Sequence, residues 1–438
     1  MTQPNQFQLL TQRRFAPFFW TQFLGAGNDN LFKFALTVLV TYQVSVSWLP
    51  TTLAGLAIGA LFILPFVLFS ATSGQLADKF DKAQLMRVVK NLEIAIMAVA
   101  AWGLLTQQVG VLLACVFLMG VHSTLFGPVK FAYLPQVLTT HELTGGNGVV
   151  EMGTFVAILL GNMVGGLLIS MPHIGAELTA VACLSLAVVG RICAQFVPAH
   201  PPADASLRIN WNPLSETWHN LRLARLDASV FRSLMGISWM WFFGAVFLSQ
   251  FPSFAKDTLH GDAQVASLLL IVFSIGVGLG ALLCEVLSRQ PVEIGLVPLG
   301  ALGMSVFAVD LYFATRSLPA SELMDASVFL AKPEHLRVLV DLFFLALSTG
   351  IYSVPMYALI QLRSQVTHRA RIIAANNILN ALFMVASALI AGAMLSAGLS
   401  TGEVFLWVGL ANAVVTLTVF ALVPEYLSRC KAWLKALF

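Results

Sequence analysis

The first long apolar stretch of the chain contains charged residues near its middle. Asp29 and Lys33 are four positions apart, so they lie on one face of a helix and could neutralise each other. Asn28 and Asn30 flank Asp29 and add hydrogen-bonding groups that an ion pair does not need. A charged side chain at mid-span costs about 2.5 to 3.5 kcal/mol on insertion scales, so such residues are kept for a reason. Two hypotheses remain open: that Asp29, Asn30 and Lys33 bind a polar group of a ligand, or that Asp29 and Lys33 form a structural pair.

A second cluster of charged residues ends the next apolar stretch. Positions 74 to 82 have the sequence GQLADKFDK, which resembles the major facilitator signature GxxxD(R/K)xG(R/K) with Asp81 in place of the second glycine. A carboxylate at a helix end interacts favourably with a basic side chain or with the N-terminus of a neighbouring helix. The pattern therefore predicts a gate that holds one arrangement of a transporter. We assign it to Gly74, Asp78, Lys79 and Lys82. The alternative is a solvated turn whose cations only set the membrane orientation.

Further polar residues lie within later apolar stretches and could line a binding site. They are Lys130, Glu151, Asn376, Asn377 and Asn380. Amide and charged groups inside a membrane bundle either bind a substrate or hold helices together. For Lys130 the alternative is a cation at the membrane boundary, with Glu151 as its partner. For the three asparagines the alternative is hydrogen bonding between helices.

The elements that must position these residues are apolar helices. The sequence is 58% hydrophobic and 10% charged, whereas soluble domains contain roughly 25% charged residues. A transmembrane helix needs about 20 mostly apolar residues, so 438 residues hold about twelve spans with short connectors. We predict an all-α membrane protein with two six-helix halves, 1–197 and 231–438, joined by a linker at 198–230, and with a short tail after the last span. The predicted spans are 16–44, 50–76, 84–106, 109–133, 146–170, 175–197, 231–255, 264–288, 292–314, 338–361, 371–397 and 401–423.

The distribution of positive charge predicts the orientation. Nineteen of the 24 Lys and Arg residues fall on the side of both termini and the linker, which marks that side as cytoplasmic. The segment from Met1 to Arg14 is polar and has no small-residue cleavage site, so we expect an uncleaved first helix. No run of Lys and Arg is long enough to bind nucleic acid. We expect a multi-pass membrane protein with both termini in the cytoplasm.

The two halves resemble each other. Pro128 in the fourth span and Pro355 in the tenth are 227 positions apart, and Asn147 and Asn376 are 229 positions apart. A parallel repeat of six helices is typical of the major facilitator architecture, whose binding site lies between the repeats near the midplane. The sequence therefore favours a major facilitator fold.

Longer motifs make the chain similar to one family with this fold. It resembles the bacterial lysophospholipid transporter family over all twelve predicted spans, most strongly in the first half. The motifs are Gln22 to Ala26 followed by Asp29-Asn30, Gly127 to Phe131, Asn147-Gly148 with Glu151, Ile158 to Gly161 with Gly165-Gly166, Pro355 to Gln361, and Asn376-Asn377 with Asn380.

The resemblance implies a flippase that works without an energy source. Members of the family take lysophosphatidylethanolamine and related lysolipids from the outer to the inner leaflet of the bacterial inner membrane, where the lipids are reacylated. We therefore expect a transporter and not an enzyme, with lysophospholipid and membrane lipids as its partners. Relatives are often fused to acyltransferase and acyl-carrier-protein synthetase domains. The resemblance thus implies such an enzyme, separate or fused, as a further partner.

A zwitterionic lysolipid sets clear chemical demands on its site. It needs a carboxylate for its ammonium group, cations for its phosphate and an apolar slot for its single chain. Asp29, Lys33 and Lys130 supply the charged groups. Some relatives carry an arginine within the seventh helix, where this chain offers only Ser249 and Gln250. We expect Lys33 to replace that cation.

Other functions remain open on the sequence alone. Asp29, Glu93 or Glu285 could carry protons in a proton-driven exporter of hydrophobic compounds. A membrane scaffold or sensor that binds lipid without moving it is a further alternative. The five cysteines include no CxxC pair, and His122 and His173 are isolated in the sequence, so we expect no disulfide, metal site or cofactor.

Overall fold

The computed structural model of the chain describes residues 5–44, 46–49, 51–288, 292–316, 318 and 322–435. Within these residues the regular structure is helical, apart from two isolated β-bridges. Fifteen α-helices follow one another along the described chain. They are α1 (Ala16–Val38), α2 (Thr51–Lys79), α3 (Lys82–Leu105), α4 (Val109–Val137), α5 (Leu143–Ile169), α6 (Gly175–Gln195), α7 (Pro213–Ala224), α8 (Ala228–Ser253), α9 (Ala263–Leu287), α10 (Val297–Thr315), α11 (Ala326–Ala331), α12 (Pro333–Arg363), α13 (Arg369–Ser396), α14 (Thr401–Leu422) and α15 (Pro424–Lys435).

Twelve of these helices are long, and α7, α11 and α15 are short. In the described part of the chain, eleven of the long helices are long and apolar enough to cross a membrane. The twelfth long helix, α1, has 23 residues and carries Asp29 and Lys33 in a mostly apolar sequence. All twelve predicted spans are therefore found as helices, and the prediction of an all-α membrane fold is confirmed.

The helix bounds differ from the predicted bounds mainly where a helix continues beyond its apolar run. α12 begins at Pro333, before the predicted start at 338. α4 continues through Pro135 to Val137, past the predicted end at 133. Polar residues are tolerated at helix ends because these positions lie near the membrane boundary. Residue 50 of the second predicted span and residues 436–438 of the predicted tail lie outside the described residues.

Local sequence sets where several helices begin. Asp262 caps α9, because its carboxylate accepts hydrogen bonds from the N–H groups of Gln264 at 2.8 Å and Val265 at 3.3 Å. At the start of α14, Ser400 and Glu403 form a capping box. Each cap satisfies backbone N–H groups that have no partner inside their own helix.

The helices pack into two compact units. Unit 1 comprises Met1–Thr139, Val156–Asp227 and Arg363–Ala381. It contains α1 to α4, α6, α7, the later part of α5 and the first part of α13. Within it α2 packs on α4, and α6 packs on both α1 and α3. Its apolar core includes Leu31, Phe32, Met97, Val116 and Met119, all of which are buried.

Unit 2 comprises Thr140–Phe155, Ala228–Leu362 and Leu382–Phe438. It contains the first part of α5, α8 to α12, the later part of α13, α14 and α15. Within it α10 packs on α14. Phe247 of α8 stacks on Phe405 of α14 with ring centroids 4.1 Å apart, so aromatic packing ties these two helices together.

Candidate functional site

The carboxylate of Asp29 lies inside unit 1, where α1 faces α4. Ser123 of α4 donates a hydrogen bond to Oδ2 of Asp29. The other oxygen, Oδ1, is buried and has no hydrogen-bond partner among the described residues. A buried carboxylate oxygen without a donor is costly, because it has lost water and gained nothing in return. Asp29 therefore has the capacity to accept a further donor.

Lys33 does not form the pair with Asp29 that its spacing allows. Its ammonium group lies over the ring of Phe62 on α2, with 3.8 Å between Nζ and the ring centroid. Within the described chain no ion pair shorter than 4 Å joins the two side chains. The two side chains therefore make no direct ion pair in the described structure, and the hypothesis that they neutralise each other stays a prediction. A cation–π contact holds the lysine instead.

A buried network of charged residues lies next to Asp29, and sequence reasoning missed it. Glu93 of α3 pairs with Lys90 one turn earlier on the same helix. Its Oε2 also lies 3.2 Å from Nε2 of His122 on α4, and Oε1 accepts a hydrogen bond of 2.7 Å from Asn28 of α1. All four side chains are almost inaccessible, with at most 3% exposure. The network thus fastens α1, α3 and α4 to one another.

This network changes two expectations. His122 is isolated in the sequence but is a partner of Glu93 in the structure. Lys90, one of the nineteen cations in the charge count, is fully buried and balances Glu93. The three-residue spacing of Lys90 and Glu93 was a usable signal, because residues three apart share a helix face. The contribution of α4 could not be foreseen without knowing which helices pack together.

Two glycines make room for the buried lysine. A Cβ atom at Gly190 of α6 would lie 2.6 Å from Nζ of Lys90, and one at Gly25 of α1 would lie 3.4 Å from it. A larger residue at position 190 would displace the ammonium group from Glu93. Gly190 is therefore part of the packing that keeps the network closed.

Asp78, the central residue of the predicted gate, is fully buried at the end of α2. Its carboxylate accepts hydrogen bonds from the backbone N–H of Ala370 at 3.1 Å and of Arg371 at 3.3 Å, in the first turn of α13. The guanidinium of Arg371 adds a charged contact of 3.2 Å from Nε. The carboxylate thus binds both a helix N-terminus and a basic side chain, the two contacts expected from the sequence.

The neighbours of Asp78 explain the rest of the motif. A Cβ atom at Gly74 would meet Cβ of Ala374 at 2.7 Å, so this glycine allows α2 and α13 to approach closely. Asp81, which stands where the signature has glycine, caps α3 by accepting from the N–H of Ala83 at 3.0 Å. Its side chain also accepts from the N–H of His200 at 3.2 Å. The aspartate that replaces the glycine of the signature therefore adds a cap to α3.

The two lysines of the motif differ in environment. Lys79 is partly exposed, and its Nζ lies 5.9 Å from the ring centroid of Phe80. Lys82, the first residue of α3, is only 2% exposed. Neither forms one of the hydrogen bonds that hold Asp78 to α13 in the described structure.

The three predicted asparagines lie on α13, after the contact with Asp78. Asn376, Asn377 and Asn380 are all buried in unit 1, with 2%, 9% and 7% exposure. Oδ1 of Asn376 and Nδ2 of Asn377 have no hydrogen-bond partner among the described residues. Asn377 packs against Gly127 of α4, where a Cβ atom would displace the Asn377 amide. Lys130 follows one turn later on α4, with its Nζ 5.1 Å from the ring centroid of Phe131.

The remaining predicted residues take other positions. Asn30 donates to the carbonyl oxygen of Ala26 on its own helix at 2.8 Å. Glu151 is buried on α5 in the part that belongs to unit 2, whereas the other seven predicted binding residues belong to unit 1. In unit 2, Asn147 and Gln361 exchange two amide hydrogen bonds of 2.6 and 3.0 Å. The sequence marked Asn147 as a repeat position and Gln361 as the end of a family motif, without assigning either a contact.

Comparison with known proteins places this arrangement in a family. Residues 18–331 match the family model described as Major Facilitator Superfamily. The chain is 27% identical over 347 residues to the lysophospholipid transporter LplT of Klebsiella pneumoniae subsp. pneumoniae, covering 78% of this chain and 79% of the relative. It is 28% identical over 361 residues to the LplT of Cronobacter sakazakii, again covering 78% of this chain and 79% of the relative.

Solved structures agree on the fold. The human organic anion transporter MFSD10 is similar with a TM-score of 0.74 at 14% identity, over 94% of this chain and 98% of the other. The major facilitator transporter FucP is similar with a TM-score of 0.69 at 11% identity, over 93% and 98%. At such low identity these likenesses concern the fold alone.

The family model matches well over half of the chain. The described residues include eleven helices that are long and apolar enough to cross a membrane. The chain therefore belongs to the major facilitator superfamily of membrane transporters, and within that superfamily it is a member of the group similar to the lysophospholipid transporters.

Proposed function

We propose that the protein is a flippase that moves lysophosphatidylethanolamine and related lysolipids. The observation that carries the proposal is the half-satisfied carboxylate of Asp29 within a membrane-spanning helix of a protein similar to lysophospholipid transporters. Oδ1 of this carboxylate has no donor among the described residues, and the ammonium group of an ethanolamine would supply one.

The phosphate of the head group needs a cation, and Lys33 is the nearest candidate in sequence. Its ammonium group contacts the Phe62 ring and forms no ion pair with Asp29 in the described chain. A cation–π contact is worth about 0.5 to 2 kcal/mol, less than a desolvated contact with phosphate would give. We infer that Lys33 exchanges the ring for the phosphate when a lysolipid binds.

The buried asparagines of α13 complete the proposed site. Asn376 and Asn377 offer amide atoms that have no hydrogen-bond partner among the described residues. We assign them, with Asn380, Lys130 and Asn30 of the same unit, to the polar lining. An amide can donate and accept, so it suits the phosphate and glycerol oxygens of several lysolipids.

We propose that Asp78 is the latch of the transport cycle. Its contacts with the first turn of α13 stabilise one state of the protein, and they must break if that turn moves away from α2. Because such a latch does not touch the head group, it changes the balance between states and not the intrinsic affinity.

The cellular setting follows from the same proposal. We place the protein in the bacterial inner membrane with both termini in the cytoplasm, moving lysolipid from the outer to the inner leaflet. Reacylation by an acyltransferase system on the cytoplasmic side would remove the product and give net direction. No input of ATP or proton-motive force is then needed.

The rival function is proton-coupled export of hydrophobic compounds. Among its candidate carriers, Glu93 is held by Lys90, His122 and Asn28, which favours a structural role over a cyclic gain and loss of protons. The two functions differ in their energy source. Transfer of labelled lysophosphatidylethanolamine in sealed proteoliposomes should proceed at the same rate with and without an imposed proton gradient. Transfer that requires the gradient would favour the rival.

A further inference from the structure

Two basic side chains near Asp78 have no acidic side chain within 4 Å in the described structure. They are Lys82, the first residue of α3, and Arg369, the first residue of α13, and both belong to unit 1. Lys82 is only 2% exposed, so water has little access to its side chain. A buried cation without a partner has lost solvation that nothing replaces. These two residues therefore have the capacity to bind an anion.

Asp78 does not fill this role, because Arg371 and the first turn of α13 already hold both of its oxygens. Oδ1 accepts from a backbone N–H of α13, and Oδ2 accepts from the backbone N–H and from Nε of Arg371. Asp78 and Asp81 attract Lys82 only over a longer distance, and Arg369 repels it. Asp78 also attracts Arg369. The attraction of one carboxylate is thus shared among three cations, of which Arg371 alone contacts it in the described structure.

Two hydrogen-bonding groups at the start of α13 also lack partners. Nη2 of Arg369 donates to the carbonyl oxygen of Ser364 at 3.3 Å, so these two residues lie side by side. Nε of Arg369 is buried and has no hydrogen-bond partner among the described residues. The same holds for the hydroxyl of Ser364, a residue that is only 5% exposed. Because an unpaired buried donor costs free energy, a ligand with acceptor oxygens would stabilise both groups.

The position of this cluster in the chain places it at the membrane boundary. One candidate membrane span, Ala54–Lys79, ends beside it, and two others, Lys82–Leu105 and Val366–Ser396, begin beside it. The ends of membrane-spanning helices lie at the depth of the lipid head groups, because the helices fill a hydrocarbon core about 30 Å thick. Lipid phosphates lie at that depth, and basic pockets between membrane helices are known to bind anionic head groups there.

We propose that Lys82, Arg369 and Ser364 bind a phosphate group beside the latch. The planar guanidinium fork matches phosphate oxygens, the ammonium group adds a compact positive charge, and the hydroxyl can donate a hydrogen bond. A phosphate that contacts both cations holds α3 and α13 together and so stabilises the latched state. This effect, unlike the binding itself, rests on the proposed role of Asp78. The phosphate belongs to a lipid head group or is free inorganic phosphate, and the experiment separates these two sources.

The test measures how phosphate compounds change the unfolding temperature of the full-length protein in a non-ionic detergent. Inorganic phosphate is compared with chloride at equal ionic strength. A short-chain phosphatidylglycerol is compared with the matching diacylglycerol, which lacks the phosphate. At least one of the two phosphate compounds should stabilise the wild type relative to its control, and that compound identifies the source. If neither compound changes the unfolding temperature, the proposal is wrong.

Two variants, Lys82→Gln and Arg369→Gln, remove the two charges separately. Each should raise the concentration needed for half-maximal stabilisation about tenfold or more, because hydrogen bonds to charged groups are strong. Lys79→Gln, at a partly exposed position of the same motif, is the matched control and should keep the wild-type concentration. Equal concentrations in the wild type and in both test variants would show that phosphate binds elsewhere and would overturn the proposal.

A conservative variant decides the question if a glutamine variant fails to fold. Arg369→Lys keeps the positive charge but has no donor at the position of Nε, so its half-maximal concentration should rise about threefold or more. An unchanged concentration in this variant would contradict the proposal. The measurement reports binding and is independent of transport. Phosphate binding that depends on Lys82 and Arg369, in a protein that moves no lysolipid, would support this site and contradict the proposed function.

Discussion

At the scale of single residues, the important feature is that Asp29 and Lys33 each contact other side chains and form no direct ion pair with each other in the described chain. Ser123 holds one oxygen of the carboxylate, and the Phe62 ring holds the ammonium group. These separate contacts are consistent with our proposal that both charges bind a ligand of mixed charge.

Replacement of Asp29 should distinguish between lysolipid head groups. Asp29→Asn keeps the size of the side chain but removes the anion that we assign to the ethanolamine ammonium. A hydrogen bond to a charged group is worth about 1.5 to 3 kcal/mol, so the initial rate of lysophosphatidylethanolamine transfer should fall about tenfold or more. Lysophosphatidylglycerol has no ammonium and should lose less than about threefold. Initial rates for both lipids in liposomes provide the measurement.

The double variant Asp29→Asn with Lys33→Met is the control for this assignment. If the two residues served only to neutralise each other, removal of both charges would restore transport of both lipids. We expect no restoration, because Lys33→Met also removes the cation that we assign to the phosphate. Recovery to the wild-type rate would remove Asp29 from the binding site.

The buried network around Glu93 makes a prediction about stability. Lys90→Met leaves the carboxylate of Glu93 with only His122 and Asn28, and loss of one partner of a buried ion pair costs about 3 to 5 kcal/mol. The variant should unfold at a clearly lower temperature in detergent. The double variant Lys90→Met with Glu93→Gln should recover part of the loss, because it leaves no uncompensated charge. Lys79→Met, at a partly exposed position, should unfold like the wild type.

At the scale of secondary-structure elements, the contact between the end of α2 and the start of α13 is the proposed moving part. Asp78→Asn keeps the shape of the side chain but weakens three contacts, one of them with a guanidinium. We expect the transfer rate to fall about tenfold, while the lysolipid affinity measured in detergent stays within about twofold.

The control for the latch is Asp204→Asn, in the linker that follows α6. The backbone N–H of Asp204 donates to the carbonyl oxygen of Asp78 at 2.9 Å. The carboxylate of Asp204 accepts a hydrogen bond from the hydroxyl of Ser206. This variant should transport like the wild type. An affinity loss in Asp78→Asn equal to its rate loss would refute the latch, because a residue that only balances two states leaves the binding contacts intact.

The short helix α7 gives a prediction about pH. Its Glu216 is 4% exposed, and burial raises the pKa of this carboxyl above the ordinary value, against the lowering effects of His219, Arg371 and Asn210. The folded protein therefore holds this proton more tightly than the unfolded chain does. The corresponding stability is present at low pH and is lost as the pH rises, from about 4.3, the usual pKa of glutamate, through the raised value.

Glu216→Gln should remove this dependence, because glutamine stays neutral at every pH. We expect the difference in unfolding temperature between pH 5 and pH 7.5 to be smaller in the variant than in the wild type. Glu425→Gln, at a partly exposed residue in the first turn of α15, is the matched control and should behave like the wild type. An identical pH profile for Glu216→Gln would show that Glu216 is not the group responsible.

The helices also show which features could be predicted from the sequence. Apolar length predicted all twelve long helices, because the bilayer demands about 20 apolar residues whatever the fold. It did not predict α7 or α15, whose sequences are too polar for that criterion. The contact of Asp78 with a helix start could be foreseen as a type of interaction. The identity of α13 as the partner could not, because it depends on the packing of segments almost 300 positions apart.

The same limit applies to the candidate site. Helical spacing placed Asp29 and Lys33 on one face but gave no information about α2 and α4, which supply Phe62 and Ser123. Tertiary partners of this kind decide whether neighbouring charges pair. The roles of the predicted binding and gating residues, and the division of the sequence into halves at 197 and 231, remain predictions.

At the scale of the whole molecule, the protein is a member of the major facilitator superfamily for which we propose lysolipid transport. Unit 1 contains the polar groups that we assign to a zwitterionic head group. These groups, together with the similarity to lysophospholipid transporters, are the basis of the central claim.

The most direct test of that claim is a leaflet-resolved transfer measurement on the purified protein. Fluorescent lysophosphatidylethanolamine or diacyl phosphatidylethanolamine is placed in one leaflet of sealed liposomes, and a membrane-impermeant quencher reports how much label has moved. We predict that the wild type transfers the lysolipid at least tenfold faster than protein-free liposomes and Asp29→Asn liposomes do, without ATP or a proton gradient, and that the diacyl lipid moves no faster than in protein-free liposomes. A lysolipid rate equal to the protein-free rate, with the protein folded and correctly inserted, would contradict the account.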